Sequence, residues 1–370
     1  MSETVGLTAG LARRAVAPRE PYALAAAGLA GFALFLLFVT RLLGFDVLQS
    51  DAVSYWRESL DWRRPFSVWW VPGYPLTLAL VNGLLGGPGD PRPVMLTTAA
   101  LCYAAGIALT WMLARSWGLS VGAARACALI FACYPFVGLT YAVYPVADGM
   151  AIALVLLMAL AISREQPVLF SAASAGCLLT HKATWFFVAS AAVYVWVQRP
   201  EWRRWCVLPL VPFVVYLAAG VVYYGDPLWM IRWSSEHLFA PRGGLPLVDS
   251  TLGLMLSGTA SKAAKGIVVL TVLLAAVATA LACRRRQIGL GVALALALIA
   301  MGLTLNQYEA WAAVRFSKVL VVPAIAGAVA IIPALTTTRS RVTALTAAAL
   351  GLATNVLYAA YMAWYFSSAR

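Results

Sequence analysis

Long apolar runs separated by short polar stretches make up most of this chain. Their length is close to the roughly 20 residues that a membrane-spanning helix needs. The pattern predicts spanning helices at residues 22–44, 93–114, 123–142, 148–163, 167–181, 184–198, 205–223, 263–283, 287–304, 317–335 and 343–365. We therefore predict an all-α polytopic membrane protein with about 11 transmembrane helices, forming a single domain over residues 1–370.

Residues 71–86 form a shorter apolar run that is interrupted by Pro72, Pro75 and glycines. If this run crosses the membrane, the loop that carries Arg115 and Arg125 lies outside. If it only dips into the outer leaflet, that loop lies inside, and the inner loops are then short and arginine-bearing, as the positive-inside rule requires. We prefer the second topology. It predicts a cytoplasmic tail at 1–21, a first outer loop at 45–92 and a long outer loop at 224–262.

Composition excludes several classes of protein. The chain is 62% hydrophobic and 11% charged, whereas soluble proteins are about 45–50% apolar and about 25% charged. Arginines in inner loops account for much of the net charge of +13, so nucleic acid is not an expected partner. The sequence contains no GxxxxGK[ST] motif, which argues against ATP-driven work. Most acidic residues fall in the predicted outer loops, which indicates a polar cavity that opens outward.

The stretch LQSDAVSYW places an acid where the chain leaves the first span. Apolar residues recur at helical spacing from Ser50 to Arg64, which predicts an amphipathic juxtamembrane helix on the outer membrane face. If Ser50 caps this helix, Asp51 lies in its first turn, where the helix dipole favours the ionised carboxylate. Tyr55 and Trp56 follow one turn later. Asp51 is thus either a chemically active carboxylate or only a helix-start residue.

The stretch YPFVGLTYAVYPVADGM contains Asp148 at the head of a predicted span. An acid in that position is either a helix cap or a functional group. The two Tyr-Pro pairs, Tyr134-Pro135 and Tyr144-Pro145, predict a broken segment rather than a plain helix.

In the stretch THKATW, Thr180, His181 and Lys182 separate two apolar runs at the outer face. A histidine beside a lysine at a membrane boundary, facing loops rich in acids, is a candidate for function. The alternative is that Lys182 only extends its ammonium group to the membrane surface.

Two further outer segments mix arginine with aromatic residues. Residues 225–244 contain Arg232, Trp233 and Arg242, and residues 306–323 contain Glu309 and Arg315. Arginine suits phosphate, and aromatic rings suit sugar faces or lipid chains. The alternative for each arginine is a structural partnership with a nearby acid.

With these four clusters, the chain resembles the GT-C superfamily of membrane glycosyltransferases, nearest to the GPI mannosyltransferase II-like branch and its bacterial relatives. SDAVSYW is similar to the WDAxHY/F-type first-loop segment of that branch, and the run from YPFVGL to THKAT resembles its NPASxFFSxxYSExLF run, which ends in a TR-type motif. YYGDPLWMIRWSSEH resembles its xGDPLAFxxAQxxW loop, and VRFSKVLVVPAIAG resembles its late RYxxxxxP segment. Asp148 stands where the family usually has Glu, THKAT replaces the TR signature, and Ser50 replaces a Trp.

The resemblance implies an inverting glycosyltransferase that moves a sugar, with mannose favoured, from a polyprenyl-phosphate-linked donor to an acceptor at the outer membrane face. The acceptor is a lipid, a glycan or a protein, and membrane lipids surround the enzyme. Some members of the superfamily use a divalent cation, Mg or Mn, and others do not. A bacterial plasma membrane is the expected location.

The resemblance also implies roles for individual residues. Asp51 is the expected general base, which takes the proton of the acceptor hydroxyl, and Asp148 is expected to position the base, the acceptor or a metal. The candidates for binding the donor phosphate are Lys182, Arg232 and Arg315, followed by Arg242 and His181. The candidates for lining the substrate site are Tyr55, Trp56, Tyr144, Trp233 and Glu309.

Two other functions fit the same pattern. Intramembrane charges and broken helices also mark transporters, so a flippase for lipid-linked sugars is one alternative, although the sequence contains no convincing internal repeat. A catalytically inactive membrane subunit is the other, because the TR-type motif is changed. The retained Asp51 argues against an inactive subunit.

Overall fold

The computed structural model describes residues 19–49, 51–61, 71–134, 138–230, 259–284, 318–331 and 338–368. All regular structure in these ranges is helical, which confirms the all-α class for this part of the chain. Within the same ranges, three helical segments are long and apolar enough to cross a membrane, namely Glu20–Leu42, Pro91–Ser116 and Pro200–Tyr224. Shorter apolar helices accompany them. These helices indicate a membrane-embedded protein, and the number of about 11 spans stays a prediction.

The helices are numbered in chain order. They are α1 (Glu20–Leu37, continued by a π-helix at Phe38–Leu42), α2 (Asp51–Leu60), α3 (Gly73–Leu84), α4 (Pro91–Ser116), α5 (Val121–Ala132), α6 (Leu139–Val143), α7 (Asp148–Ser163), α8 (Pro167–Thr180), α9 (Thr184–Gln198), α10 (Arg203–Val207), α11 (Leu210–Tyr224), α12 (Thr259–Arg284), α13 (Val321–Ile331) and α14 (Thr338–Ser368). Single 3-10 turns at Pro200–Trp202 and Lys318–Leu320 precede α10 and α13. The predicted span at 287–304 lies outside the described residues.

The predicted span at 123–142 is wrong, because two helices share it. α5 ends at Ala132, and the short helix α6 begins at Leu139. Tyr134 precedes a proline, and a following proline disfavours the helical conformation. The segment is therefore broken, as its Tyr-Pro pairs predict. The predicted span at 205–223 lies within Pro200–Tyr224, one of the three segments that are long and apolar enough to cross a membrane, and α10 and α11 make up most of that segment.

The segment 45–92 begins and ends at the same level of the bundle. In the first turn of α4, Nη2 of Arg92 donates hydrogen bonds to both carboxylate oxygens of Asp46, at 3.1 and 3.0 Å. Asp46 closely follows the end of α1, so the end of α1 and the start of α4 lie side by side. α3 has 12 residues, which at about 1.5 Å per residue is too short for about 30 Å of hydrocarbon. A non-crossing segment at residues 71–86 is compatible with this geometry and stays a prediction.

The opposite end of the bundle is held by arginines. Arg125, near the start of α5, forms an ion pair with Glu20 at the start of α1. Arg199, after α9, forms an ion pair with Glu165 in the turn between α7 and α8. Both ion pairs lie at helix ends that the predicted topology places in the cytoplasm. Which side faces the cytoplasm stays a prediction.

The last helix, α14, is bonded to the middle of the chain by Asn355, which is fully buried. Its Oδ1 accepts hydrogen bonds from the N–H of Thr140 at 3.1 Å and from the Thr140 hydroxyl at 2.9 Å, and its Nδ2 donates to the Tyr134 carbonyl at 2.9 Å. A Cβ atom at Gly351, one turn earlier, would collide with the Cys133 carbonyl. A small residue therefore permits the close approach, and α14 fixes the break between α5 and α6.

Candidate functional site

A small cavity lies where α3 and α7 begin and α5 ends, beside the middle of α4. Its volume is about 20 Å³, which is room for about one water molecule. Apolar side chains form most of its walls, and two opposite charges face it. The polar and charged residues that line it are Tyr74, Cys102, Tyr103, Tyr141, Asp148 and Lys318.

Asp148 and Lys318 are the charged residues of this cavity. Asp148 is the first residue of α7 and is 4% exposed, and Lys318 opens the 3-10 turn before α13 and is 5% exposed. Their charges interact, and Nζ of Lys318 also lies 5.0 Å from the centre of the Phe131 ring, within the range of a cation–π contact. Charged residues buried in an apolar bundle are costly and mark a candidate functional site.

Sequence reasoning misses two residues of this cluster, Lys318 and Tyr74. Lys318 opens the apolar run KVLVVPAIAGAVAI, and a lysine at the head of a predicted span is a signal that could have identified it. Tyr74 lies in the ambiguous run 71–86, and nothing in its local pattern indicates a buried position beside a carboxylate.

His181 lies at the edge of the cluster, next to Asp148. Its Nδ1 accepts a hydrogen bond from the Ala183 N–H at 3.1 Å. Since a backbone N–H only donates, Nδ1 carries no proton in this arrangement, and the neutral ring is protonated on Nε2. Nε2 lies 3.9 Å from Oδ1 of Asp148. The imidazole therefore directs an N–H group towards the buried carboxylate.

Lys182 follows in the same turn and is half-buried. Burial lowers the pKa of its ammonium group to about 8. The Thr184 hydroxyl fixes the turn by donating a hydrogen bond to the His181 carbonyl at 2.6 Å. α3 approaches the same turn closely, since a Cβ atom at Gly73 would lie 2.5 Å from the Leu179 carbonyl oxygen. The start of α3 thus supports the segment that carries His181 and Lys182.

The helix predicted between Ser50 and Arg64 is present as α2, Asp51–Leu60. It buries one face, which includes Tyr55, and the Tyr55 ring meets the Tyr74 ring edge-on with 5.0 Å between their centres. Because Tyr74 lines the cavity, α2 packs on the wall of the charge cluster. Ser50 and Arg64 lie outside the described residues, so capping by Ser50 stays a prediction.

Asp51 is exposed in the first turn of α2. The start of this helix is anchored at Gln49, whose carbonyl accepts hydrogen bonds from the Tyr144 hydroxyl at 3.2 Å and from the Ala52 N–H at 3.0 Å. Tyr144 belongs to the loop that leads to Asp148. The structure therefore connects the two segments that carry the predicted acids, with Asp51 at the surface and Asp148 buried.

The far end of α2 faces aromatic residues at the end of α11. The Glu58 carboxylate lies near the hydroxyl groups of Tyr216 and Tyr224. Trp229 stacks on Tyr224 with 5.0 Å between ring centres, and its Nε1 donates a hydrogen bond to the Leu217 carbonyl at 3.3 Å. α2 thus extends from the Asp148 loop to a group of aromatic rings.

The predicted site residues divide into two groups. Asp148 and His181 lie 3.9 Å apart, and Lys182 follows His181 in the same turn. Tyr55 and Tyr144 make the contacts that pack α2 on the bundle. Trp56 on α2 is half-buried and packs against the apolar core. Asp51 is exposed at the start of α2. The other five lie outside the described residues, and they are Arg232, Trp233, Arg242, Glu309 and Arg315.

A divalent metal has little support at Asp148. No group of three or more His, Cys, Asp or Glu side chains in the described ranges could hold a metal ion. Lys318 already supplies a positive charge to Asp148, and a second cation there would be repelled. The described part of the site therefore favours a role for Asp148 within a charge cluster.

In the described part of the chain, fold and site define an apolar, all-helical bundle with a buried charge cluster beneath an amphipathic helix. Comparison of the chain with protein-family models, with curated proteins and with solved structures gave no match. The resemblance to the GT-C superfamily therefore stays a prediction from the quoted segments.

Proposed function

We propose that this protein is an inverting membrane glycosyltransferase that moves a sugar from a polyprenyl-phosphate-linked donor to an acceptor at the outer membrane face. The observation that carries the proposal is the position of Asp51. Its carboxylate is exposed in the first turn of an amphipathic helix, and the start of that helix is bonded through Gln49 to the Asp148 loop. An accessible carboxylate on a well-supported helix suits a base that must meet both a lipid-linked donor and an acceptor.

In the proposed reaction, the oxygen of the acceptor hydroxyl attacks the anomeric carbon of the donor sugar. The bond between that carbon and the phosphate oxygen breaks, and polyprenyl phosphate leaves with the electron pair. Asp51 takes the proton of the attacking hydroxyl. One displacement inverts the configuration at the anomeric carbon, so the product has the opposite anomeric form to the donor.

The departing phosphate gains negative charge, and a cation held beside it lowers the barrier. Lys182 is the described candidate, since its pKa of about 8 leaves it protonated at neutral pH. The arginines of the two aromatic-rich outer segments are further candidates from the sequence. The proton position on His181 favours hydrogen bonding towards Asp148 over phosphate binding.

Asp148 is proposed to act by positioning. It is buried beside Lys318 and His181, so it cannot reach an acceptor at the surface while the cavity is closed. The exposed aromatic rings Tyr223 and Tyr224 near the far end of α2 suit the faces of a sugar or a lipid chain. Mannose as the donor sugar, and a lipid, glycan or protein as the acceptor, follow from the family resemblance.

The proposal includes an orientation, in a bacterial plasma membrane, with the end of the bundle that carries Arg125 and Arg199 in the cytoplasm. Ser120 is exposed just before α5, at that end. A Ser120→Cys variant, in a chain whose own cysteines are replaced, should react with an impermeant thiol reagent only after the cytoplasmic side is opened. Reaction from outside intact cells would reverse the orientation.

Sugar transfer by the purified protein in nanodiscs tests the activity. The donors are polyprenyl-phosphate mannose, arabinose, glucose and galactose, and the variants are Asp51→Asn and, as a matched control just beyond α2, Asp61→Asn. We expect wild type and Asp61→Asn to consume one donor, and Asp51→Asn to lose at least about 100-fold. Near-normal turnover by Asp51→Asn would remove Asp51 as the base. No consumption of any donor by folded wild type would overturn the transferase.

The buried pair of Asp148 and Lys318 favours a second candidate, a transporter of lipid-linked sugars. Ionisable residues inside a helical bundle also mark substrate and proton paths in transporters. Movement of a labelled lipid-linked sugar across liposomes, without cleavage of the sugar–phosphate bond, would support this candidate. If the protein neither cleaves the donor nor moves it across the membrane, the inactive membrane subunit is favoured.

A further inference from the structure

The hydroxyl of Tyr74 is a buried polar group whose hydrogen-bond partner is not among the described residues. Tyr74 is 1% exposed, and no residue in the described ranges forms a hydrogen bond with its hydroxyl. Burial of a hydroxyl without a partner is costly, and buried polar groups in folded proteins nearly always have one. This hydroxyl therefore indicates a partner that is not a side chain of the described residues.

The cavity beside Tyr74 has the size and the chemistry for such a partner. The hydroxyl is near Cys102 and Asp148, both of which line the cavity. The cavity volume of about 20 Å³ exceeds the roughly 10–15 Å³ that one water needs, and it is far below what a phosphate or a sugar needs. Lys318 offers donors, Asp148 offers acceptors, and the Tyr74 hydroxyl offers both.

We propose that this cavity binds one water molecule, which joins Tyr74, Asp148 and Lys318 into one hydrogen-bonded cluster. The Lys318 ammonium group disfavours a metal cation in the same space, and the Asp148 carboxylate disfavours an anion. A neutral water with three protein partners matches the two to four hydrogen bonds typical of buried water. The site does not rest on the transferase function and would be present in a transporter as well.

The water would add a hydrogen bond to each member of the buried charge pair. A carboxylate and an ammonium group taken out of water are stable only if their remaining lone pairs and protons find partners. His181 meets the same carboxylate at 3.9 Å, and its side chain is 24% exposed. Asp148 thus has a bound water on its inner side and His181 on its outer side. Together they hold the first turn of α7.

The variant Tyr74→Phe tests the proposal, because the direction in which it shifts the midpoint of thermal unfolding depends on whether water is bound. If water is bound, removing the hydroxyl breaks a hydrogen bond and lowers the midpoint of thermal unfolding. If the cavity is dry, the same change removes a costly unpartnered hydroxyl and raises the midpoint or leaves it unchanged. Tyr103→Phe is the control, because Tyr103 lines the same cavity and its hydroxyl donates to the Ala132 carbonyl at 3.0 Å. We expect both variants to be less stable than wild type.

The variant Gly149→Ala tests the same site without touching a polar group. Gly149 lines the cavity in the first turn of α7, and an added Cβ would meet only Cβ of Cys102, at an ordinary 3.7 Å. In a dry cavity the methyl group fills space and favours the helix, so stability rises. With water bound, the methyl group displaces it, and stability falls. Gly31→Ala in α1, where an added Cβ meets nothing within 4 Å, measures the helix effect alone.

A density map of the full chain in nanodiscs provides the direct observation. A peak within hydrogen-bonding distance of Tyr74 Oη and the Asp148 carboxylate would support the proposal. The proposal is overturned if that position is empty in a map that shows ordered water elsewhere in the bundle, or if both Tyr74→Phe and Gly149→Ala are as stable as wild type or more stable. The map also decides if either variant fails to fold.

Discussion

The Tyr144 hydroxyl donates a hydrogen bond to the Gln49 carbonyl at 3.2 Å, although the two residues belong to different loops. The same carbonyl also accepts a hydrogen bond from the Ala52 N–H at 3.0 Å. It therefore closes the first turn of α2 and at the same time connects α2 to the loop that contains Tyr144. Asp51 lies between these contacts in the sequence. Its placement therefore depends on a loop whose other end is buried Asp148.

Replacing Tyr144 tests this dependence. Tyr144→Phe removes the bond to Gln49 and keeps the ring, so we expect a loss of about 1 kcal/mol in the free energy of unfolding. We also expect a several-fold loss of sugar transfer, because the turn that carries Asp51 is less well held. Tyr22→Phe is the control, since Tyr22 is 72% exposed. Unchanged stability and unchanged transfer in Tyr144→Phe would show that Asp51 is positioned by other contacts.

The charge pair of Asp148 and Lys318 should behave as a unit. Asp148→Asn or Lys318→Met alone leaves one buried charge uncompensated and should cost about 3–5 kcal/mol. The double variant should cost clearly less than the sum, because it buries no charge. The free energies of unfolding of wild type, the two single variants and the double variant form a double-mutant cycle, which gives the coupling energy between Asp148 and Lys318.

An exposed ion pair provides the comparison for this cycle. Asp46 and Arg92 are 3.0 Å apart, and their side chains are 30% and 46% exposed. The corresponding cycle at this pair should give a coupling of about 0–1 kcal/mol. Equal couplings at the two pairs would contradict a buried, interacting Asp148 and Lys318.

Donor binding should weaken as the pH rises through the pKa of Lys182. Burial lowers that pKa from 10.5 to about 8, so the ammonium group loses its charge above about pH 8. The proposed donor, a polyprenyl-phosphate sugar, is a phosphodiester and stays anionic, so its KM should rise by up to about tenfold per pH unit above the pKa. Lys182→Arg keeps its charge and should show a flat profile. A wild-type profile as flat as that of Lys182→Arg would remove Lys182 from phosphate binding.

The same pKa shift has a consequence for stability with a definite sign. Between about pH 8 and pH 10.5 the unfolded lysine binds a proton that the folded one does not, so stability should increase with pH across this window. Lys182→Met should remove that increase. Unfolding midpoints of wild type and Lys182→Met at the two ends of the window provide the measurement.

Gly73 and Gly83 form a matched pair on α3. Gly73→Ala would place Cβ 2.5 Å from the Leu179 carbonyl oxygen and 2.9 Å from Thr180 Oγ1, and overpacking of this kind costs about 1–3 kcal/mol. It should also displace the turn that carries Lys182 and raise the KM for donor. Gly83→Ala meets nothing within 4 Å and should be neutral or slightly stabilising. Equal stability of the two variants would exclude close packing of α3 on α8.

Helix boundaries are predictable where polar residues or prolines interrupt an apolar run. α7 begins at Asp148 and ends at Ser163, the bounds that the sequence predicts, because a Tyr-Pro pair precedes it and polar residues follow it. The span predicted at 123–142 is wrong, because hydrophobicity continues beyond Ala132, where α5 ends. Apolar patterning reports burial or lipid exposure, and it does not report where a helix breaks.

The candidate site is predictable only in part, for a related reason. Asp148 and His181 stand out as polar residues at the ends of apolar runs, and the structure brings them to 3.9 Å. Lys318 resembles an ordinary charge at a span end, and only the packing of α13 against the middle of the chain buries it beside Asp148. Long-range contacts of this kind leave no local pattern in the sequence. The five predicted residues outside the described ranges stay predictions.

Asn355 and Lys318 have a consequence for how the protein is made. Both lie in the last part of a 370-residue chain, yet they complete the surroundings of Thr140 and Asp148, which the ribosome delivers much earlier. Until Asn355 on α14 is made, the Thr140 N–H lacks this acceptor, and until Lys318 is made, the Asp148 carboxylate lacks the charge of this lysine. A nascent chain must therefore carry a polar, unfinished patch through most of its insertion. A ribosome that stops before residue 355 would release a chain suited to quality control rather than to function.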